Sequence, residues 1–242
     1  MFEQAFEKIK IEDRKFLMEK KFALVQRVEF IRKICKGKKV LHLGCTNYPY
    51  TQEAIKNEML LHFELEEISS ELYGFDFDQA GIDILEKEYE AKNLYRADLE
   101  RLEDVGLNKT FDVIIAGEII EHLNNPGLFL NGIRRFMNEN TDLVITTVNA
   151  FCAMRFWIYG LRGKGGINEP VHPDHVAYYS YSTLKLLLDR HNLAVKQFLF
   201  YNLGVEHRPH TRWYFKLCND VSVKIAPQWA DGIIAVCGLG KS

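Results

Sequence analysis

Short apolar runs, several ending in glycine or a carboxylate and alternating with helical patterns, constrain this chain more than any other feature. Lys39-Val40-Leu41-His42-Leu43-Gly44 is such a run, followed by a helical pattern over Thr51 to Ser70. Leu72 to Asp76 follows and ends on a carboxylate, with a helix expected over Gln79 to Tyr89. Asn93 to Asp98 again ends on Asp, Phe111 to Ala116 is nearly all apolar, and Leu143 to Val148 closes the series. Runs of four to seven apolar residues without polar alternation are strands buried on both faces, as parallel sheets require. Strand and helix alternate, so the expected fold is α/β, a doubly wound, mostly parallel sheet with right-handed crossovers. Ligands of such sheets bind beyond the carboxyl ends of the strands.

Around this frame the spacing predicts helix starting at Glu118 to Leu123, a helix over Pro126 to Met137, and another over Ser182 to His191 capped by Ser180 or Ser182. Two further strands are expected at Ala194 to Tyr201 and Gly232 to Gly238, which makes seven. The chain divides into a helical lead-in or lid at 1–36 and a main domain at 37–242, with insertions at about 149–180 and 202–230. In the lead-in Phe6, Ile9, Phe16, Phe22, Val25, Val28, Ile31 and Ile34 recur at helical spacing. The first insertion contains Gly163-Lys164-Gly165-Gly166, Pro170 and Pro173; its length marks it as functional rather than connecting.

Composition excludes several classes. Lys+Arg 31 against Asp+Glu 33 leaves a net charge of −2, which argues against a nucleic-acid binder. Nothing approaches the roughly 18 consecutive apolar residues of a membrane span. Met1 to Lys10 carries no secretory pattern. Cys35, Cys45, Cys152, Cys218 and Cys237 are scattered and form no CxxC, so a reducing cytoplasm is the expected location.

Chemistry-bearing residues gather at the strand ends. Leu43-Gly44-Cys45-Thr46-Asn47 turns from strand to helix, where a backbone can approach an anion. It is neither GxGxxG nor a phosphate loop, which disfavours a nicotinamide dehydrogenase. Asp76 is placed to accept from a ribose diol and Asp98 to meet an adenine. In order and spacing, VLHLGC (40–45), LYGFDFD (72–78), YRADLERL (95–102), FDVIIAGEIIEHLNNP (111–126) and LVITTVNAF (143–151) resemble the class I S-adenosylmethionine-dependent methyltransferases.

The resemblance covers roughly 38–200 and implies a Rossmann-like sheet with an antiparallel seventh strand. It implies that Leu43, Gly44, Cys45 and Thr46 hold the methionine end of S-adenosylmethionine. Asp76 and Phe77 would meet the ribose, Asp98 and Leu99 the adenine, and Gly117 and Glu118 the sulfonium side. The chain departs from the family's GxGxG loop after Gly44, and His42 stands where an acid is frequent.

On a helix, Glu118, Glu121 and His122 share one face, a donor set suited to Mg²⁺, Mn²⁺ or Fe²⁺. ExxEH followed by His172-Pro173-Asp174-His175 is similar to the metal-dependent O-methyltransferases of ubiquinone synthesis and of small-RNA 3′ ends. That likeness implies Glu118, Glu121, His122 and His175 as ligands. Without a metal, His122 or His175 is the candidate catalytic base.

Trp157, Tyr159, Tyr178, Tyr179 and Tyr181 are candidate pocket walls, and His207, Arg208, His210 and Arg212 a basic patch. Neither NPP[YFW] nor a Pro-Cys nucleophile is present, and Cys152 reads as buried. The expected activity is O-methylation of a small-molecule or glycan hydroxyl. An RNA ribose 2′-O-methyltransferase and a non-catalytic S-adenosylmethionine-binding module are the alternatives.

Overall fold

The structure is a computed structural model, and it describes residues 24–162, 172–202 and 212–240. Among these, eight strands form one sheet: β1 (Leu24–Val25), β2 (Lys39–Leu43), β3 (Glu71–Asp76), β4 (Leu94–Arg96), β5 (Val113–Gly117), β6 (Asp142–Val148), β7 (Leu193–Tyr201) and β8 (Gly232–Leu239). Their order is β1-β7-β8-β6-β5-β2-β3-β4. Every pairing is parallel except those of β8, which runs antiparallel to both β6 and β7. The expected α/β sheet is therefore present, with one strand more than the seven anticipated. The extra strand pairs Leu24 with Phe200 and Val25 with Tyr201. Two residues are too few to display a strand's period of two, so only the pairing reveals it.

Helices cover both faces. α1 (Arg27–Cys35), α2 (Thr51–Lys56), α3 (Leu61–Ile68), α4 (Gln79–Tyr89), α5 (Pro126–Ile133), α6 (Ala153–Arg162), α7 (Tyr181–Arg190) and α8 (Trp213–Ile225) follow in chain order. On one face Ile31, Cys35 and Leu65 pack over Val40, Val113, Ile115 and Ile234. On the other, Phe129, Ile133, Phe136, Leu184 and Leu188 cover Leu41, Phe75, Ile114 and Ile145. Each fully buried side chain of this size contributes about 2 kcal/mol. The rest of the lead-in, with Phe6, Ile9, Phe16 and Phe22, lies outside the described residues, as do Gly163 to Pro170, His207, Arg208 and His210. No helix among the described residues is long and apolar enough to cross a membrane.

Two helical expectations are corrected. The pattern over Thr51 to Ser70 splits into α2 and α3, because Glu58 adopts φ 55° and Met59 N–H bonds back to Ala54 O. Glu118 to Leu123 is no helix. Glu118 takes φ 54°, residues 120–122 turn, and α5 starts at Pro126. The apolar spacing there reflects a turn whose Ile120 is pressed into the core.

Beneath the first loop, His42 and His62 are buried with their Nδ1 atoms 3.2 Å apart. Burial pushes both imidazoles down, His62 to about 4, and His62 lowers His42 further. Such a pair stays neutral in the fold, whereas in the unfolded chain each takes up a proton below about 6.5. Stability is therefore unaffected above that pH and falls as pH drops from 6.5 toward 4. At pH 5 His62 alone is expected to cost on the order of 2 kcal/mol. Melting curves between pH 7 and 5 should show a steeper loss for the natural chain than for His62→Gln; identical slopes would contradict this.

Candidate active site

The site is assembled at the carboxyl ends of β2, β3, β5 and β6. After β2 the chain turns at Gly44, whose φ of 71° strains any side chain and whose added Cβ would crowd Ile119 at 3.1 Å. Gly44 N–H and Cys45 N–H reach Phe75 O at 2.8 and 3.4 Å, which ties the loop to β3. Thr46 binds Asp76 Oδ2 twice, through its backbone N–H at 2.9 Å and its hydroxyl at 2.8 Å. Asp78 N–H donates to Asp76 Oδ1 at 3.0 Å. A carboxylate offers about four lone-pair sites, and three of Asp76's are taken. One remains for a ligand hydroxyl.

The cofactor candidates therefore separate by what they present. The Leu43, Cys45 and Thr46 side chains are buried, so what the loop turns outward is the Gly44 backbone together with exposed Asn47 and Tyr48. Phe77 is exposed and meets the Tyr48 ring edge-on at 5.0 Å. Asp98 is exposed and caps the short 3-10 turn Leu99–Asp104 by accepting from Glu100 N–H. Leu99 is partly buried.

At the end of β5, Gly117 faces both Arg27 Nη1 and Thr146 Oγ1, 3.6 and 3.7 Å from where a Cβ would stand. Arg27, first residue of α1, was not anticipated. The lead-in's apolar stripe gave no sign that Arg27 returns over β5; only the pairing of β1 with β7 brings it there. Glu118 turns toward the sheet, where its carboxylate accepts from the Tyr201 hydroxyl and from Thr146 Oγ1 at 3.1 Å. Tyr201 is buried, and its hydroxyl is held well above the usual range by burial first and then by Glu118.

Glu121 is fully buried, and among the described residues neither carboxylate oxygen has a hydrogen-bond partner. Burial, then the Glu118 carboxylate, pushes it up to about 8, so it is protonated at neutral pH. Its backbone carbonyl accepts from Val176 N–H (2.9 Å) and Ala177 N–H (3.3 Å). Those two bonds pin the His172–His175 segment over the turn. As a result His122 and His175 meet, ring centroids 4.6 Å apart, and His172 joins them.

Ligand atoms of His122, His172 and His175 lie within 4.8 Å of one another. Glu118 is near enough to favour the charged forms of His122 and His175, yet both are held down, by burial first, His175 to about 4. His175 Nδ1 has no hydrogen-bond partner among the described residues. Of the four residues that the resemblance implies as ligands, the structure gathers the two imidazoles and adds a third, while the carboxylates of Glu118 and Glu121 turn to other surroundings. HxDH was visible in the sequence, but not that both of its histidines would face His122.

Beside this cluster opens a cavity of about 600 Å³ between α6 and α8, walled by Phe151, Phe156, Trp157, Tyr159, Tyr178 and Trp229. Tyr178 links the two, its ring 5.8 Å from that of His175. Tyr179 and Tyr181 face the core instead, and Cys152 is buried against Phe215.

A sequence family described as "Methyltransferase domain" matches residues 14–197. The ubiquinone biosynthesis O-methyltransferase of Rickettsia typhi is 25% identical over 170 residues, 64% of this chain and 65% of that protein, so the match spans under two thirds of the relative's length. Among solved structures, a SAM dependent methyltransferase from Archaeoglobus fulgidus superposes with a TM-score of 0.55 at 17% identity, covering 87% of this chain and 90% of that one. A second, from Aquifex aeolicus, gives 0.53 at 14% identity over 88% and 89%. At these identities the structural likeness concerns the fold.

Proposed function

The chain belongs to the methyltransferase-domain family as an S-adenosylmethionine-dependent enzyme, and from that premise we propose that its acceptor is a hydroxyl of a small molecule or glycan. The observation that carries this reading is the meeting of His122, His172 and His175 beside the end of β5, next to an aromatic cavity. The curated relative, an O-methyltransferase by name, supports the choice of oxygen.

The reaction is an in-line displacement. The acceptor oxygen's lone pair forms a bond to the methyl carbon as the carbon–sulfur bond breaks. S-adenosylhomocysteine leaves, and the hydroxyl proton must go to a base. Alignment supplies much of the rate. In this reading the Gly44 loop and Arg27 receive the methionine end, Asp76 the ribose, and Asp98 with Leu99 the adenine. Phe77 and Tyr48 border the nucleoside, and Gly117 leaves space at the sulfonium.

Three imidazoles whose ligand atoms lie within 4.8 Å of one another also fit a divalent ion. Nitrogen donors favour Fe²⁺ or Mn²⁺ over Mg²⁺, which prefers oxygen. His122, His172 and His175 would hold it. Bound there, such an ion lowers the pKa of a hydroxyl beside it. Where no ion is held, His122 and His175 are the candidate bases, burial first lowering both.

The test is direct. Electron paramagnetic resonance of the chain with Mn²⁺ should show one bound equivalent, lost in His175→Ala and in His172→Ala. Both variants should keep their affinity for S-adenosylhomocysteine and lose turnover by on the order of 100-fold. Full turnover in the doubly substituted chain would overturn the role of the cluster.

A further inference from the structure

Arg155 of α6 stands on the wall of the aromatic cavity, and the fold uses only part of it. Its Nη2 donates to Asn149 O at 3.1 Å and to Asp231 O at 2.9 Å, which straps α6 to the residue after β6 and the residue before β8. A guanidinium carries five N–H donors, so three remain, two on Nη1 and one on Nε. Among the described residues none of the three makes a hydrogen bond. The Asp231 carboxylate lies 3.6 Å from Nη1, an ion pair beyond bonding reach. The side chain is 23% exposed, so this cation is largely withdrawn from water. Donors withdrawn from water without a partner are costly. A permanent charge that keeps three of them unpaired at a cavity wall is suited to an acceptor brought from outside.

Distance sets the ligand's length. The guanidinium carbon of Arg155 lies 5.4 Å from the centre of the Tyr178 ring, and that ring is 5.8 Å from the ring of His175. The two spans laid end to end are the greatest separation the charge and the imidazole can have, which is the reach of a small aromatic acid. The walls set its class. Phe151, Phe156, Trp157 and Trp229 offer apolar rings. Besides Arg155, the polar side chains among the described lining residues are few. Ser222 already accepts from Trp157 Nε1 at 3.2 Å, Cys152 is buried, and Tyr159 and Tyr178 bring one hydroxyl each. A sugar would carry several hydroxyls into this space, each costly to bury without a partner. A flat ring with one or two hydroxyls avoids that cost and gains ring-to-ring contact.

We propose that Arg155 holds the carboxylate of a hydroxyaryl acid in this cavity and so turns its ring hydroxyl toward His122, His172 and His175 for methylation. The acceptor role rests on the methyl-transfer reading above; the carboxylate contact rests on Arg155 itself. A planar guanidinium can meet a carboxylate with two parallel bonds, here from Nη1 and Nε, whereas lysine would offer only a point charge. Asp231 leaves the local pair neutral overall, so a singly charged carboxylate is accommodated more readily than a dianionic phosphate.

Trp157 and Trp229 line the cavity, so tryptophan fluorescence reports binding without turnover. With S-adenosylhomocysteine present, 3,4-dihydroxycinnamate should quench it and bind about 30-fold more tightly than its uncharged methyl ester. Arg155→Gln should bring the two affinities together, and Arg155→Lys should restore part of the gap. A purely structural strap would instead weaken both compounds alike. With S-adenosylmethionine, the dihydroxy acid should yield a methyl ether, while cinnamate, which lacks the hydroxyls, should bind and yield none. Equal affinity of acid and ester in the natural chain would overturn the carboxylate contact without recourse to any variant. Galacturonate binding as tightly as the aryl acid would overturn the aromatic class, and tight binding of the dihydroxy acid without a methyl ether would overturn its role as acceptor. Failure of the natural chain to bind S-adenosylhomocysteine would strike the methyl-transfer reading, and the acid–ester comparison without it would still decide the role of Arg155.

Discussion

Replacing Asp76 by alanine is expected to weaken S-adenosylhomocysteine binding about 100-fold and to cost about 3 kcal/mol of stability. The stability loss follows from geometry. Asp76 accepts from Thr46 N–H, Thr46 Oγ1 and Asp78 N–H, and it is itself buried. Each such bond contributes about 1 kcal/mol, and stranded donors add their desolvation. Water entering the vacated space would recover part of this. The affinity loss follows from the remaining lone-pair site at the rim and from the loop, whose only tie to β3 would then be Phe75 O. Thr46→Val separates the two effects, since it removes the hydroxyl bond and keeps the backbone one. Calorimetric titration together with chemical denaturation measures both. Natural affinity in Asp76→Ala alongside the loss of stability would reduce Asp76 to a strut of the loop and remove it from the nucleoside site.

A second large effect is expected far from the rim loops, at Gly232. A Cβ added there would stand 1.9 Å from Tyr201 Cζ, within the ring that lies across it in the β7–β8 pair. The ring cannot simply rotate away, because it is buried and its hydroxyl is held by Glu118. Gly232→Ala must displace it, taking from Glu118 one of its two donors and opening the sheet behind β5. Overpacking of this severity is expected to cost about 3 kcal/mol and to lower turnover through Glu118. Coupling between the pair makes the cause testable. Tyr201→Ala should cost clearly less in the Gly232→Ala background than in the natural chain, whereas strict additivity would mean that the ring is not what the new methyl meets.

How far the site was legible in the sequence depends on the range of each feature. Asp76 and Asp98 were recognisable because a strand's end and the residue that terminates it are local. Gly44 was recognisable for the same reason, and its φ of 71° is that of a residue chosen for its freedom. Glu118 and Glu121 misled because apolar residues flanking them at helical intervals also suit a tight turn pressed into a core. Only the left-handed backbone at Glu118 distinguishes the two, and nothing in a one-dimensional pattern records it.

Periodicity and chain punctuation alone determined that this protein is a wound α/β sheet, where its strands other than β1 lie, and which end of them bears the acids. These follow from interactions over a few residues, which the sequence displays directly. The company each side chain keeps was decided by tertiary structure. It brought His172 to His122 and laid Arg27 over Gly117. It also matched Tyr201 with Gly232 and turned Glu121 inward. Each of these joins residues tens of positions apart or more, or depends on which face the core has already taken. That outcome is settled when the layers pack, through volumes and angles that no local pattern encodes.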